Sequence, residues 1–411
     1  AASDVYKRQV LPALEVLLEE YREGVESYLG TDGESGWELV EAETAWADSL
    51  ARAWSPVSHL NAVADSDELR EVYNAGRERL TAHGSWRQQH AGLFGEYRAL
   101  ADAPGFPELD AARRRIVELE LRDFHLAGVD LPPAKQAEYR EIVLRLSKLA
   151  ATFSENLLDA TRAWTRHFDT PEALDGLPET ELELLRENAR QAGRDGWTLD
   201  LNAPSFHAVM TPATDRELRH EVYRAYVTRA SDQGPNAGQW DNAPVISEML
   251  ALRRRLARLF DFDNYVEYAL STRMAAKPDD IRLFLEGLAE RARPHARDQL
   301  EELSAFAAGK GAELPLQAWD LPFWSERFRQ ERIGLADEEL KPYFPLDRML
   351  GALHHVSGEL FGVRLVEDPG MERWHPDARF YWLEGHDGKR FAGLYMDLFA
   401  RRDKRGGAWM D

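Results

Sequence analysis

Hydrolytic metal chemistry on a helix needs the pattern H-E-x-x-H. Two histidines four apart share a helix face and hold zinc, and the glutamate between them polarises a water. The 12 histidines of this chain stand at 59, 83, 90, 125, 167, 207, 220, 295, 354, 355, 375 and 386, and no two are four apart. His220-Glu221-Val222-Tyr223-Arg224 opens like the motif, but Arg224 stands where the second ligand belongs. His354 and His355 are neighbours, so a helix must point them differently, and the pair reads as one buried and one exposed ring. His375, in His375-Pro376-Asp377, reads as a loop packing residue rather than a general base. Asp261-Phe262-Asp263-Asn264 resembles half of a calcium loop. It lacks the glycine and the distant glutamate, so it reads as a helix cap.

Composition removes several other chemistries. There is no cysteine, which excludes disulfides, thiolate metal sites and a cysteine nucleophile. Any metal would have to be held by His, Asp or Glu. No G-x-S-x-G elbow, P-loop or dinucleotide-binding glycine fingerprint is present. The 411 residues carry 51 Lys+Arg and 72 Asp+Glu, a net charge of −21. Nucleic acid is therefore not an expected partner, because a phosphate-binding surface needs a basic face. The carboxylate surplus reads as a solubility feature. No apolar run approaches the roughly 18 residues of a membrane span, and the N-terminus has no signal-peptide core. The expectation is a soluble, cytoplasmic protein with no membrane partner.

The elements that must position any site are mostly helical. Leu14, Leu17, Leu18, Tyr21, Val25, Tyr28 and Leu29 recur at three- and four-residue steps. Residues 44–53 and 68–80 read the same way. A helix over 111–126 is opened by Asp110 as N-cap and stopped by Gly128 and Pro132-Pro133. A long helical pattern covers 134–168, and another helix covers 182–192. Residues 197–201 alternate as a short strand. Helices are expected at 215–229, 245–260, 264–270, 279–308, 323–331 and 346–361. The cluster Trp319, Phe323, Trp324 and Phe328 has helical spacing and reads as core. Beyond Pro376, residues 379–383 and 391–398 flank His386-Asp387-Gly388, a hairpin signal. Gly406 to Met410 could begin a further strand. The fold class is mainly α, with a small β-sheet entering at the C-terminal end.

Several long stretches are more specific than any spacing. They include Trp54-Ser55-Pro56-Val57-Ser58-His59-Leu60, residues 121–129 (LRDFHLAGV) and residues 223–242 (YRAYVTRASDQGPNAGQWDN). Residues 319–326 (WDLPFWSE), 374–380 (WHPDARF) and 395–411 (YMDLFARRDKRGGAWMD) belong with them. Through these the chain resembles the thimet oligopeptidase family of zinc metallopeptidases, from about residue 10 onward. The resemblance implies a two-lobed helical peptidase fold with a deep channel that admits short peptides and excludes folded proteins. It implies Zn2+ on an H-E-x-x-H helix, the glutamate as general base and a third carboxylate ligand from a later helix. The family pattern places that helix beyond Asp411, so no catalytic residue and no metal ligand is assigned in this chain. The 411 residues are expected to be incomplete, and to be inactive and zinc-free by themselves.

Four segments follow from this resemblance. Residues 1–9 read as a foreign leader. Residues 10–132 read as the N-terminal part of the catalytic lobe, 133–317 as a second helical lobe, and 318–411 as the return into the catalytic lobe. Gly406, Gly407 and Ala408 are the substrate-binding candidates. They read either as a strand that lines the channel and pairs with peptide backbone, or as a glycine-rich bend that only joins strands. Two rival functions stay open. One is a zinc-free helical peptide-binding or scaffold protein. The other is a dipeptidyl carboxypeptidase of the same family.

Overall fold

The computed structural model describes residues 9–30 and 36–410, with no side-chain description at Asp337 and Glu338. The leader expected over residues 1–9 thus lies outside the described residues, apart from Gln9. The chain is mainly helical. It forms two compact units, one from Ala1–Asn156, Asp241–Gly287 and Ala408–Asp411, the other from Leu157–Trp240 and Leu288–Gly407.

The first unit is built on amphipathic helices. α1 (Leu11–Leu29) starts with Pro12 in its first turn and buries Leu14, Leu18, Tyr21 and Val25 at steps of four, three and four. α2 (Trp37–Val63) and α3 (Asp67–Gln88) are longer than the apolar pattern suggested. Ser66 caps α3 by accepting a hydrogen bond from Leu69 N at 3.2 Å. α4 (Ala91–Asp102) and α5 (Ala111–Leu126) complete a core of Tyr21, Val25, Leu39, Leu93, Tyr97 and Phe124. The limits of α5 are those expected, and Asp110 accepts from Arg113 N at 2.8 Å. The first part of α6 (Pro133–Ala163) packs Ile142 and Leu149 with Leu252 and Leu256 of α10 (Ala243–Leu259). α11 (Tyr265–Leu270) is capped by Asn264, whose side chain accepts from Glu267 N at 3.1 Å. Glu267 in turn accepts from Asp263 N at 3.3 Å, so the half calcium loop is a reciprocal helix cap.

The second unit mixes helices with two small sheets. The helical pattern expected over 134–168 is corrected here. α6 stops at Ala163, and β1 (Thr165–Phe168) pairs antiparallel with β2 (Trp197–Asp200). Phe168 and Trp164 are drawn into the core with Leu199 and Leu201, which outweighs continuation of the helix. α7 (Glu179–Gln191), α8 (Ala203–Met210) and α9 (Arg216–Val227) pack Leu185, Val209, Met210, Leu218 and Val222 on that sheet. Trp319 packs against this core, and Phe323 is buried on α13 (Leu321–Ile333). α12 (Pro278–Gly309) and α15 (Leu346–Phe361) follow the expected helical periods, and the short α14 (Asp337–Leu340) lies between α13 and α15 where no helix was expected. The second sheet has the order β3-β4-β5, with β3 (Arg364–Glu367), β4 (Arg379–Glu384) and β5 (Arg390–Met396) all antiparallel.

Candidate peptide-binding segment

The hairpin signal at His386-Asp387-Gly388 forms as expected. Gly388 takes φ +73°, the left-handed conformation that favours glycine. Lys389 N donates to Asp387 Oδ1 at 3.0 Å, closing the turn. β4 therefore lies between its neighbours, and β5 is an edge of its sheet. Gly393 on β5 is required by a close approach: a side chain there would meet the ring of Phe380 at 2.6 Å.

The chain leaves β5 through a polar knot. The buried Asp397 carboxylate accepts from Trp374 Nε1 at 2.9 Å and from both terminal nitrogens of Arg401 at 2.8 and 2.7 Å. Lys404 Nζ sits 3.1 Å from Asp397 Oδ1 and also donates to the carbonyls of Asp397 and Phe399, at 2.6 and 3.0 Å. Burial by itself would raise the Asp397 pKa. The hydrogen bonds from Arg401, Trp374 and Lys404 outweigh it and hold the carboxyl well below the ordinary range. The last turn of α6 adds a clamp, because Arg162 Nε donates to the Arg402 carbonyl at 3.0 Å and Nη2 lies 3.1 Å from Asp403.

Beyond this knot come the three substrate-binding candidates. Of the two readings left open for them, the strand is not formed. Gly406 and Gly407 make a bend, Ala408 has no regular structure, and β5 ends at Met396. Their backbone pairs with no strand, and Gly407 takes φ +111°, outside the strand region. Neither glycine faces a neighbour where a side chain would project. They are therefore exposed backbone just beyond the tethered residues 397–404. Sequence reasoning missed the tether itself. Its signal was present in Asp397 and Arg401, an acidic and a basic residue four apart, followed by a lysine in an otherwise open loop.

The histidines do not converge. His220 packs at a tilt against Trp319 with ring centres 4.2 Å apart, while Glu221 pairs with Arg166 and Arg224 is exposed. His354 is half-buried with its ring against Tyr381, and His355 is exposed. His375 Nδ1 accepts from Asp377 N at 3.2 Å, a local loop bond. Among the described residues no group of three or more His, Asp or Glu is placed to hold a metal ion. The described residues thus do not fit the zinc that the resemblance implies.

Comparison with known proteins settles the family. Residues 209–411 match the model of peptidase family M3, and residues 9–136 match the N-terminal domain of neurolysin and thimet oligopeptidase. The chain belongs to peptidase family M3. It is 42% identical over 410 residues to oligopeptidase A of Escherichia coli, covering 100% of this chain and 60% of that protein. Oligopeptidase A of Haemophilus influenzae is 41% identical over 409 residues, with the same coverage. A dipeptidyl carboxypeptidase of Salmonella typhimurium is 28% identical over 363 residues, covering 88% of this chain and 53% of that protein. The chain therefore spans about 60% of the length of the oligopeptidase A relatives it matches. Among the described residues no helix is long and apolar enough to cross a membrane.

Proposed function

We propose that this chain supplies part of a zinc-dependent endopeptidase for short peptides, of the oligopeptidase A type. The observation that carries the reading is 42% identity to an oligopeptidase A along the whole chain. Because the described residues do not fit a metal, the zinc ligands and the general base are assigned to the part of the relatives that this chain does not span. The contribution of these 411 residues is then to bind and orient the peptide. The edge of β5 offers unpaired backbone groups, and Gly406, Gly407 and Ala408 offer backbone without a bulky side chain. Both suit recognition of peptide main chain irrespective of sequence. The cytoplasm is the proposed location, supported by the absence of cysteine.

The test uses an internally quenched peptide of about eight residues, blocked at both ends. The 411-residue chain is expected to bind it without cleaving it, as read by fluorescence anisotropy and mass spectrometry. Turnover by this chain alone would sink the assignment of the metal elsewhere. Joined to the remaining part of the Escherichia coli relative, it is expected to cut internal bonds, with loss of cleavage on chelation and recovery on adding zinc. Release of C-terminal dipeptides from an unblocked peptide, and of nothing else, would favour the dipeptidyl carboxypeptidase reading. Gly407→Pro is expected to weaken binding about tenfold, because proline cannot adopt a positive φ. Unchanged binding would remove the glycine segment from the site.

A further inference from the structure

α15 is amphipathic over a wider arc than the described fold covers. On one side it buries Leu350 and turns the half-buried His354 ring onto Tyr381 of β4, with ring centres 5.1 Å apart. Arg379 of β4 donates to Asp347 of α15 at 3.0 Å, so this side is held to the sheet. About 100° around the helix lies a second apolar row, Met349, Leu353, Val356 and Leu360. Its steps of four, three and four place all four side chains within an arc of about 60°. They are 36%, 48%, 50% and 70% exposed. Scattered apolar residues on a surface need no explanation, but a contiguous helical row at heptad spacing has the form of a seam for another helix.

We propose that this row is the docking seam for a helix from the part of the oligopeptidase A relatives that this chain does not span. The commitment to that occupant rests on two observations. The relatives align with all of this chain and still have about 40% of their own length outside it. The row is a run of four apolar side chains along one exposed helix face at heptad spacing, the form in which one helix receives the side chains of another. The proposal rests on family membership and not on the cleavage reaction, so the two can fail separately.

The chain has no cysteine, which makes thiol labelling a clean probe. Leu353→Cys is prepared in the 411-residue chain and in the same chain joined to the remaining part of the Escherichia coli relative. Labelling is read by mass spectrometry of the peptide that carries the cysteine. The expected result is rapid labelling in the 411-residue chain and at least tenfold protection in the joined chain. Leu350→Cys, at a buried position, must be protected in both forms, which shows that each is folded. Equal labelling of Leu353→Cys in two folded forms would overturn the proposal. So would protection already present in the 411-residue chain together with a dimer by sedimentation, since the seam would then belong to a second copy.

Discussion

At the scale of single residues, the buried Glu43 carboxylate is answered by four hydrogen bonds. Glu43 accepts from Tyr21 Oη at 2.9 Å, Tyr97 Oη at 2.6 Å, and Arg87 Nε and Nη2 at 3.0 and 2.8 Å. Burial alone would raise its pKa, but Arg87 and the two phenols outweigh that and hold it below the ordinary carboxylate range. Beside it His83 is buried, its Nδ1 has no hydrogen-bond partner, and its ring edge meets Tyr21. Burial first, then Arg22 and Arg87, push its pKa down to about 4. The unfolded chain therefore takes up a proton below about pH 6.5 that the folded chain refuses until about pH 4. Stability is expected to fall by up to about 3 kcal/mol as pH drops through that window. His83→Phe should flatten this slope in urea titrations at several pH values. An unchanged slope would place the pH dependence on the carboxylates alone. The Asp397 knot gives a second expectation. Asp397→Ala leaves Arg401 and Lys404 buried without their carboxylate, at a cost of about 3 kcal/mol. Hydrogen exchange should show faster opening of residues 397–408, whereas a fully exposed ion pair would leave exchange unmoved.

At the scale of elements, caps decide boundaries where packing leaves a choice. Asp110→Ala removes the acceptor for Arg113 N and is expected to destabilise α5 by about 1 kcal/mol, read from the urea midpoint. The same cap is why α5 could be read to the residue from the sequence: an acceptor, an apolar period and a double proline mark both its ends. The Asn264 cap and the Asp387-Gly388 hairpin were legible for the same local reason. β1 was not. Residues 165–168 continue a helical apolar period, and only pairing with β2, some thirty residues on, turns them into a strand. β3 was hidden similarly, since Arg364-Leu365-Val366-Glu367 has no local strand signal beyond two apolar residues and gains its identity from β4. The candidate site divides along the same line. Gly406 and Gly407 could be picked out because glycine permits close backbone approach. Within the tether, Asp397, Arg401 and Lys404 lie close in sequence, whereas the clamp from Arg162 is a contact across 240 residues that no local pattern carries.

At the scale of the whole molecule, two electrostatic effects oppose each other. Many ion pairs lie at the surface, such as Arg52–Asp48 and Arg282–Glu286, with both partners more than half exposed. Pairs of this kind are each worth about 0–1 kcal/mol and weaken as salt screens them. Against them stands a net charge of −21, which repels itself more in the compact chain than in the unfolded one. Salt relieves that repulsion. The carboxylates of Asp397, Glu43 and Asp320, the last paired with Arg216 and Arg219, are buried, so their pairs are screened little. Repulsion should therefore be the larger salt-sensitive term. Raising NaCl from about 0.01 M to about 0.15 M shortens the screening length from about 30 Å to about 8 Å. The apparent melting temperature at pH 7.5 is expected to rise by a few degrees, equivalent to about 1 kcal/mol. A fall over the same range would mean that the exposed pairs hold the fold more strongly than their exposure allows. Sucrose at matched osmolality should raise the temperature by less than the salt does, which separates screening from solvent exclusion.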